Sequence, residues 1–228
     1  MFRGLEEIPS FLGYYNIIFL LQALLATFLL SAIGCAVGSV IGFLLAISRR
    51  SRSLALLPIR ATTVLFIEFF RRVPFLVTLM LIFFVFQVAK LDISTFAVAV
   101  ICVSLIATAF IAEIIRSGLD SVHHNQWDAA ATLNLSMAQT LRYVIMPQAW
   151  KIILPPGFSF FILFIKDTAL ASQIGVVELT YAGKVLNNKG FSALLTFGSI
   201  LVLYFILSYP LSRLGAWMEA GLAPSRNR

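Results

Sequence analysis

Residues Ser117–Ala149, SGLDSVHHNQWDAAATLNLSMAQTLRYVIMPQA, form the most polar long interval between the apolar runs of this chain. Their local chemistry predicts two short helices joined by a tight turn. Asn125 is a good N-cap, and Asp128 stands three residues later, a near version of the capping box in which each end satisfies the other's orphan donor. The run Trp127 to Leu133 contains three successive alanines, the strongest helix former. Asn134 follows where a helix C-terminus wants a left-handed residue, a conformation that asparagine tolerates better than most. Ser136 and Gln139 make a second capping box. The helix they open should run to about Ile145 and stop before Pro147, which cannot continue it.

A helix-turn-helix raises the question of DNA, and charge argues against nucleic acid. The interval sets Asp120 and Asp128 against Arg142, whereas a phosphate reader needs clustered lysine and arginine. A solvated connection between membrane helices suits the residues equally well. The run DAAATLNLSMAQTLRYVIMPQA also resembles the EAA loop of ABC importer permeases: Asp128-Ala129-Ala130 stands for the E-A-A, Asn134 for its glycine and Ile145-Met146-Pro147 for the closing I-L-P.

Composition sets the surroundings of that interval. The chain has 228 residues, 60% hydrophobic and 12% charged, with a mean hydropathy of +0.96. A soluble domain is nearer half apolar and a quarter charged, so this is a membrane protein. Long apolar runs without alternation predict an all-α polytopic helical bundle, one permease-like domain over residues 1–228. The formal charge of +7 favours the anionic cytoplasmic lipid surface. Cys35 and Cys102 lie inside apolar runs, with no metal-ligand spacing and no disulfide framework. The opening MFRGLEEIPS lacks a basic region and cleavage site, so the first span should be retained.

Five spans are expected, at 21–48, 73–89, 93–116, 152–177 and 192–212, with a cytoplasmic loop at 117–149. An interfacial segment, Phe11 to Phe19, should precede the first. Within it Gly34, Gly38 and Gly42 form a small-residue stripe suited to close helix packing, more simply within the chain than between subunits. An amphipathic approach, Leu54 to Phe70, leads to the second span, where Glu68 can pair with Arg71 and Arg72. Glu113, Arg116 and Asp120 predict a small ion-pair ladder at the membrane edge. The charge-free stretch Ile152 to Ile165 is too short to span unaided, opens at Pro155-Pro156-Gly157 and is interrupted by Lys166-Asp167. A short, broken segment carrying ions points to a translocation path; the span ending at Lys166 is the plainer alternative. Gly183 to Gly190 reads as a polar loop.

Further blocks resemble permeases for polar amino acids. Glu68, Phe70, Arg71, Pro74 and Val77 follow the family's E-L-F-R-G-T-P-L-L-V, with Arg72-Val73 replacing G-T. Ala112-Glu113-Ile114, Arg116, Gly118 and Leu119 follow A-E-I-x-R-x-G-I. Leu154, Pro155, Pro156, Phe161, Ile162, Lys166, Asp167, Thr168 and Leu170 follow L-P-P-x-x-N-E-F-I-x-L-x-K-D-T-S-L, and Pro210-Leu211-Ser212-Arg213 closes the last span in the P-L-S-R style. Ser159-Phe160 replaces the family's N-E, removing an acid that could face substrate in relatives.

The resemblance implies a type I ABC importer permease for polar amino acids in the bacterial inner membrane, coupled to ATPases through Asp128, Ala129, Ala130, Asn134, Ser136 and Pro147. Thr108, Ser159, Phe160, Lys166, Asp167 and Thr168 become candidates for the path. Implied partners are a second permease subunit, two ABC ATPases, a periplasmic or extracellular solute-binding protein and the lipid bilayer. The chain itself needs no cofactor and is no enzyme, since ATP-Mg belongs to the partner ATPase. An ion-coupled secondary transporter would be expected to show repeated halves, and an intramembrane enzyme would need a motif beyond the adjacent His123 and His124.

Orientation comes from the basic residues alone. Five spans put the termini on opposite sides. One side collects Arg49, Arg50, Arg52, Arg60, Arg71, Arg72, Arg116, Arg142, Lys151, Arg213, Arg226 and Arg228; the other has Arg3, Lys90, Lys166, Lys184 and Lys189. The positive-inside rule makes the first set cytoplasmic, with the N-terminus outside and the C-terminus in the cytoplasm.

Overall fold

The computed structural model describes residues 7–50 and 56–222. Arg3, Arg52, Arg226, Arg228 and the start of the amphipathic approach at Leu54 lie outside the described residues. Among the described residues every regular element is helical. In chain order they are α1 (Ile8–Phe11), α2 (Tyr14–Ser48), α3 (Leu57–Phe70), α4 (Phe75–Val88), α5 (Thr95–Asp120), α6 (His124–Thr132) and α7 (Met137–Gln139). A π-helical turn, Thr140–Ile145, leads into α8 (Met146–Asp167) and a 3₁₀ stretch, Thr168–Ile174; α9 (Leu179–Asn188) and α10 (Ala193–Leu222) follow. Among the described residues four helical segments are long and apolar enough to cross a membrane, or five if α3 and α4 count as one broken span. A multi-pass membrane protein follows from these lengths, because roughly 20 apolar residues cross a bilayer core.

Several boundaries differ from expectation for identifiable reasons. The predicted interfacial segment Phe11 to Phe19 mostly belongs to α2, whose apolar character begins at Tyr14. In the 152–177 segment the α-helix ends at Asp167, beside the expected interruption, but it is longer than expected because it begins at Met146. From Thr168 the chain tightens into 3₁₀ turns that run to Ile174 and end at Gly175, with φ of 83°. Pro147 does not stop the helix. The wider i→i+5 turn just before it makes room for a ring that clashes with the carbonyl four residues back in a regular helix. The predicted polar loop Gly183 to Gly190 is mostly α9: Leu179, Ala182, Gly183 and Leu186 recur at helical spacing and are buried. Helices α5 and α10 run beyond their expected ends to Asp120 and Leu222.

The chain forms two compact units. The first takes in Met1–Ala36, Val73–Leu105 and Phe161–Leu211. Its core joins Phe11, Leu20, Ala23, Leu179, Ala182, Leu186 and Ile200. Between membrane helices such side chains gain close packing rather than escape from water, since lipid tails are as apolar as leucine. Gly34 permits close approach here, since a Cβ on it would lie 2.3 Å from Val103 Cγ1. At the base of α9, Glu178 accepts the backbone N–H groups of Thr180 (2.8 Å) and Tyr181 (2.7 Å) and the Tyr204 hydroxyl (2.8 Å). Thr27 Oγ1 accepts the Leu179 N–H at 3.1 Å. Every polar atom of this buried cap thus finds a partner that water cannot supply.

The second unit takes in Val37–Arg72, Ile106–Phe160 and Ser212–Arg228. There α2 and α5 meet backbone to backbone. A Cβ on Gly38 would lie 2.5 Å from Ala107 Cβ and 2.9 Å from Thr108 N, and one on Gly42 would lie 2.9 Å from Thr108 O. Gly118 gives the same clearance to Ile153, whose Cγ1 would lie 2.3 Å from an added Cβ. The polar interval Ser117–Ala149 is carried on this unit.

Candidate functional site

The site begins with a turn. Leu135 N–H donates to Ala130 O (3.1 Å) and Asn134 N–H to Ala131 O (3.0 Å), the paired bonds of a Schellman motif that closes α6. Asn134 takes the left-handed conformation this motif requires, with φ of 50°. The predicted Ser136–Gln139 capping box forms reciprocally: Ser136 N–H donates to Gln139 Oε1 (2.9 Å), and Gln139 N–H to Ser136 Oγ (3.4 Å). The first cap differs from expectation. His123, not Asn125, is the N-cap of α6, its Nδ1 accepting the Asn125 N–H at 3.3 Å. Asp128 therefore lies mid-helix, outside any capping box.

On this scaffold the sequence-derived coupling residues divide cleanly. Ala130 is buried, whereas Asp128, Ala129, Asn134, Ser136 and Pro147 are exposed. Leu133, Met137 and Tyr143 join them with 71%, 51% and 65% exposure, apolar side chains around a polar helix pair. Such a patch suits a protein partner in water better than lipid.

Behind the exposed face lies an ion-pair cluster that the sequence shows only in part. The expected ladder is present, with Arg116 bonded to Glu113 (2.5 Å) and to Asp120 (2.5 Å). Three arginines distant in sequence complete it. Arg49 reaches Glu113 at 3.1 Å, Arg71 approaches it at 3.8 Å, and Arg50 reaches Asp120 at 2.7 Å. Arg72 pairs with Glu68 as expected, but Arg71 turns to Glu113 instead. The Arg50 guanidinium also covers the Trp127 ring, 4.0 Å from its centroid.

Of the six path candidates, Thr108, Ser159 and Phe160 belong to the second unit and Lys166, Asp167 and Thr168 to the first. Thr108 and Thr168 are buried, Thr168 donating to Ile165 O at 2.9 Å with Ser31 Oγ 3.5 Å away. Phe160 is buried and stacks on Phe110, centroids 5.0 Å apart. Ser159 and Lys166 are exposed and Asp167 is half-buried. Thr108, Phe160 and Thr168 are thus buried, each within its own unit, whereas Ser159 and Lys166 are exposed. Among the described residues no group of acids, histidines and cysteines can hold a metal ion.

Glu178 is the polar residue that sequence reading missed. It is fully buried, and burial pushes its carboxyl above the ordinary 4.5 while the N–H and hydroxyl donors pull the other way. A signal did exist: the helical spacing from Leu179 to Leu186, with Gly190 past the end, marks a helix whose N-cap falls on Glu178.

Comparison with known proteins fits this geometry. The family described as binding-protein-dependent transport system inner membrane component matches residues 38–223. The Bacillus subtilis (strain 168) protein named "Probable amino-acid ABC transporter permease protein YckA" is 37% identical over 181 residues, 79% of each chain. The Escherichia coli (strain K12) glutamine transport system permease protein GlnP is 35% identical over 195 residues, 85% of this chain and 88% of its own. A crystal structure of an amino acid ABC transporter with histidines superposes with a TM-score of 0.84 at 28% identity, covering 96% of this chain and 99% of that one. With the helical spans, the exposed helix pair and the ion-paired base accounted for, this chain belongs to the family of binding-protein-dependent transport system inner membrane components.

Proposed function

We propose that this chain is the permease subunit of an ATP-driven ABC importer for polar amino acids, forming half of a translocation path in a bacterial inner membrane. The observation that carries the reading is the exposed pair α6 and α7, locked at a left-handed Asn134 and presenting Asp128, Ala129, Leu133 and Met137 to solvent. A surface held this firmly suits a cytoplasmic ATPase. Nucleotide-driven closure of two such ATPases would shift two copies of the helix pair and alternate the path between inward and outward opening. Family membership supports a second permease subunit and an extracytoplasmic solute-binding protein, which would supply most of the selectivity.

Charge supports the orientation. Among the described residues, Arg49, Arg50, Arg60, Arg71, Arg72, Arg116, Arg142, Lys151 and Arg213 all belong to the second unit, and Lys90, Lys166, Lys184 and Lys189 to the first. α6 and α7 thus share a unit with the arginine-rich set, whose residues the positive-inside rule assigns to the cytoplasm. Ser159, Lys166 and Asp167 are the side chains we assign to the solute path.

Co-purification tests the assignment. Asp128→Lys reverses a charge on the exposed face, and Ala130→Pro removes a donor and breaks α6. Both variants should insert into the membrane yet lose the ATPase. Normal recovery of the ATPase with both would overturn the docking role.

A further inference from the structure

Helix α6 shows its partner-facing and inward-facing sides plainly. Of its nine residues, seven are exposed; Trp127 is half-buried and Ala130 is buried, three positions apart on one face. Ala130 has only a methyl group to offer. Gln126 reaches α8 through Gln148 Nε2 at 3.3 Å, and Trp127 is the half-buried ring by which α6 meets the end of α2, where it packs against Arg50.

Arg50 follows directly on Ser48-Arg49 at the end of α2. Its guanidinium does two things at once: it donates to Asp120 Oδ1 at 2.7 Å and covers the Trp127 ring at 4.0 Å. Asp120 is the last residue of α5 and is held in turn by Arg116. Arg116 bonds Glu113, which Arg49 also reaches at 3.1 Å. The ends of α2 and α5 are therefore tied together, and Arg50 extends that tie to α6. A planar guanidinium can lie flat on a ring while it hydrogen-bonds in its own plane, a geometry that the compact ammonium of lysine does not reproduce.

We propose that Arg50 and Trp127 form the positioning pair that passes movement of the coupling helix α6 into the ends of α2 and α5. The inference rests on the importer reading and deepens it. Arginine and tryptophan near the end of a span also serve as ordinary interfacial anchors. The two roles separate by substitution, because an anchor accepts lysine for arginine and a stacked, bonded guanidinium does not.

The test uses the complete transporter in proteoliposomes, with its ATPase, its binding protein and a polar amino acid, and reads amino acid imported per ATP hydrolysed. Trp127→Leu and Arg50→Lys should each lower that ratio at least fivefold while the ATPase still co-purifies. The double variant should be no worse than either alone, since both substitutions remove one shared contact. Trp127→Tyr, which keeps a ring face, should retain most coupling and guards against misfolding as the explanation. Wild-type ratios in both single variants would overturn the pair. So would losses that multiply in the double variant, or a fall in transport matched by loss of the ATPase. A wild-type complex that hydrolyses ATP without importing any amino acid would instead overturn the importer reading.

Discussion

Asn134 and Gly38 carry conformations or clearances that few other residues can supply. Asn134 holds φ at 50° so that the bonds from Asn134 and Leu135 can close α6. A β-branched residue in that conformation costs about 1–2 kcal/mol. Asn134→Val should therefore lower ATPase recovery while Asn134→Gly preserves it, measured by co-purification. At Gly38 a side chain would meet the α5 backbone at 2.9 Å, whereas one at Gly157 meets nothing within 4 Å. Gly38→Val should cost roughly 1–3 kcal/mol through forced helix separation, seen as a lower melting temperature in detergent. Gly157→Ala should leave that temperature nearly unchanged.

Glu178 extends the residue scale to pH. Because burial raises its carboxyl above 4.5 in the folded protein, folding favours its protonated form. Its contribution to stability is complete below the unfolded value and declines as pH rises through the higher folded one. The melting temperature of wild type relative to Glu178→Gln should accordingly fall with rising pH across that window. A difference that is flat or rises with pH would remove this role for the carboxyl.

Elements show where sequence reading succeeds and where it fails. The Ser136–Gln139 capping box, the asparagine turn and the Glu113–Arg116–Asp120 ladder were legible because each is decided within a few residues. The end of the second coupling helix was not. Pro147 reads as a stop by local rules, but a π-turn over Thr140–Ile145 accommodates it, and the need to bury Leu141, Ile145, Ala149 and Ile153 keeps the helix going. Helix α9 was missed because its lysines and asparagines outweighed the apolar spacing beneath them. The sequence pattern also could not bring Arg49, Arg50 and Arg71 to Glu113 and Asp120, since those contacts span from 42 to 70 positions. At this scale Leu186→Ala, fully buried in the last turn of α9, should destabilise by about 2–5 kcal/mol. Thermal unfolding in detergent measures it.

For the whole molecule, composition alone established a membrane bundle, and the basic residues alone proposed its orientation. The path resisted reading for a physical reason: a motif block such as Phe160 to Thr168 mixes residues that pack with residues that face outward. Only the fold separates buried Phe160 and Thr168 from exposed Lys166. Function is a property of a larger assembly, and the part we propose for this chain is to transmit force through α6 and α7. Proteoliposomes holding this chain with its ATPase, its second permease subunit where one exists and its binding protein test that most directly, read as uptake of labelled polar amino acid. Uptake should require ATP, the ATPase and the binding protein together, and should vanish with Ala130→Pro. Uptake by this chain alone, driven by an ion gradient without the ATPase, would contradict the importer.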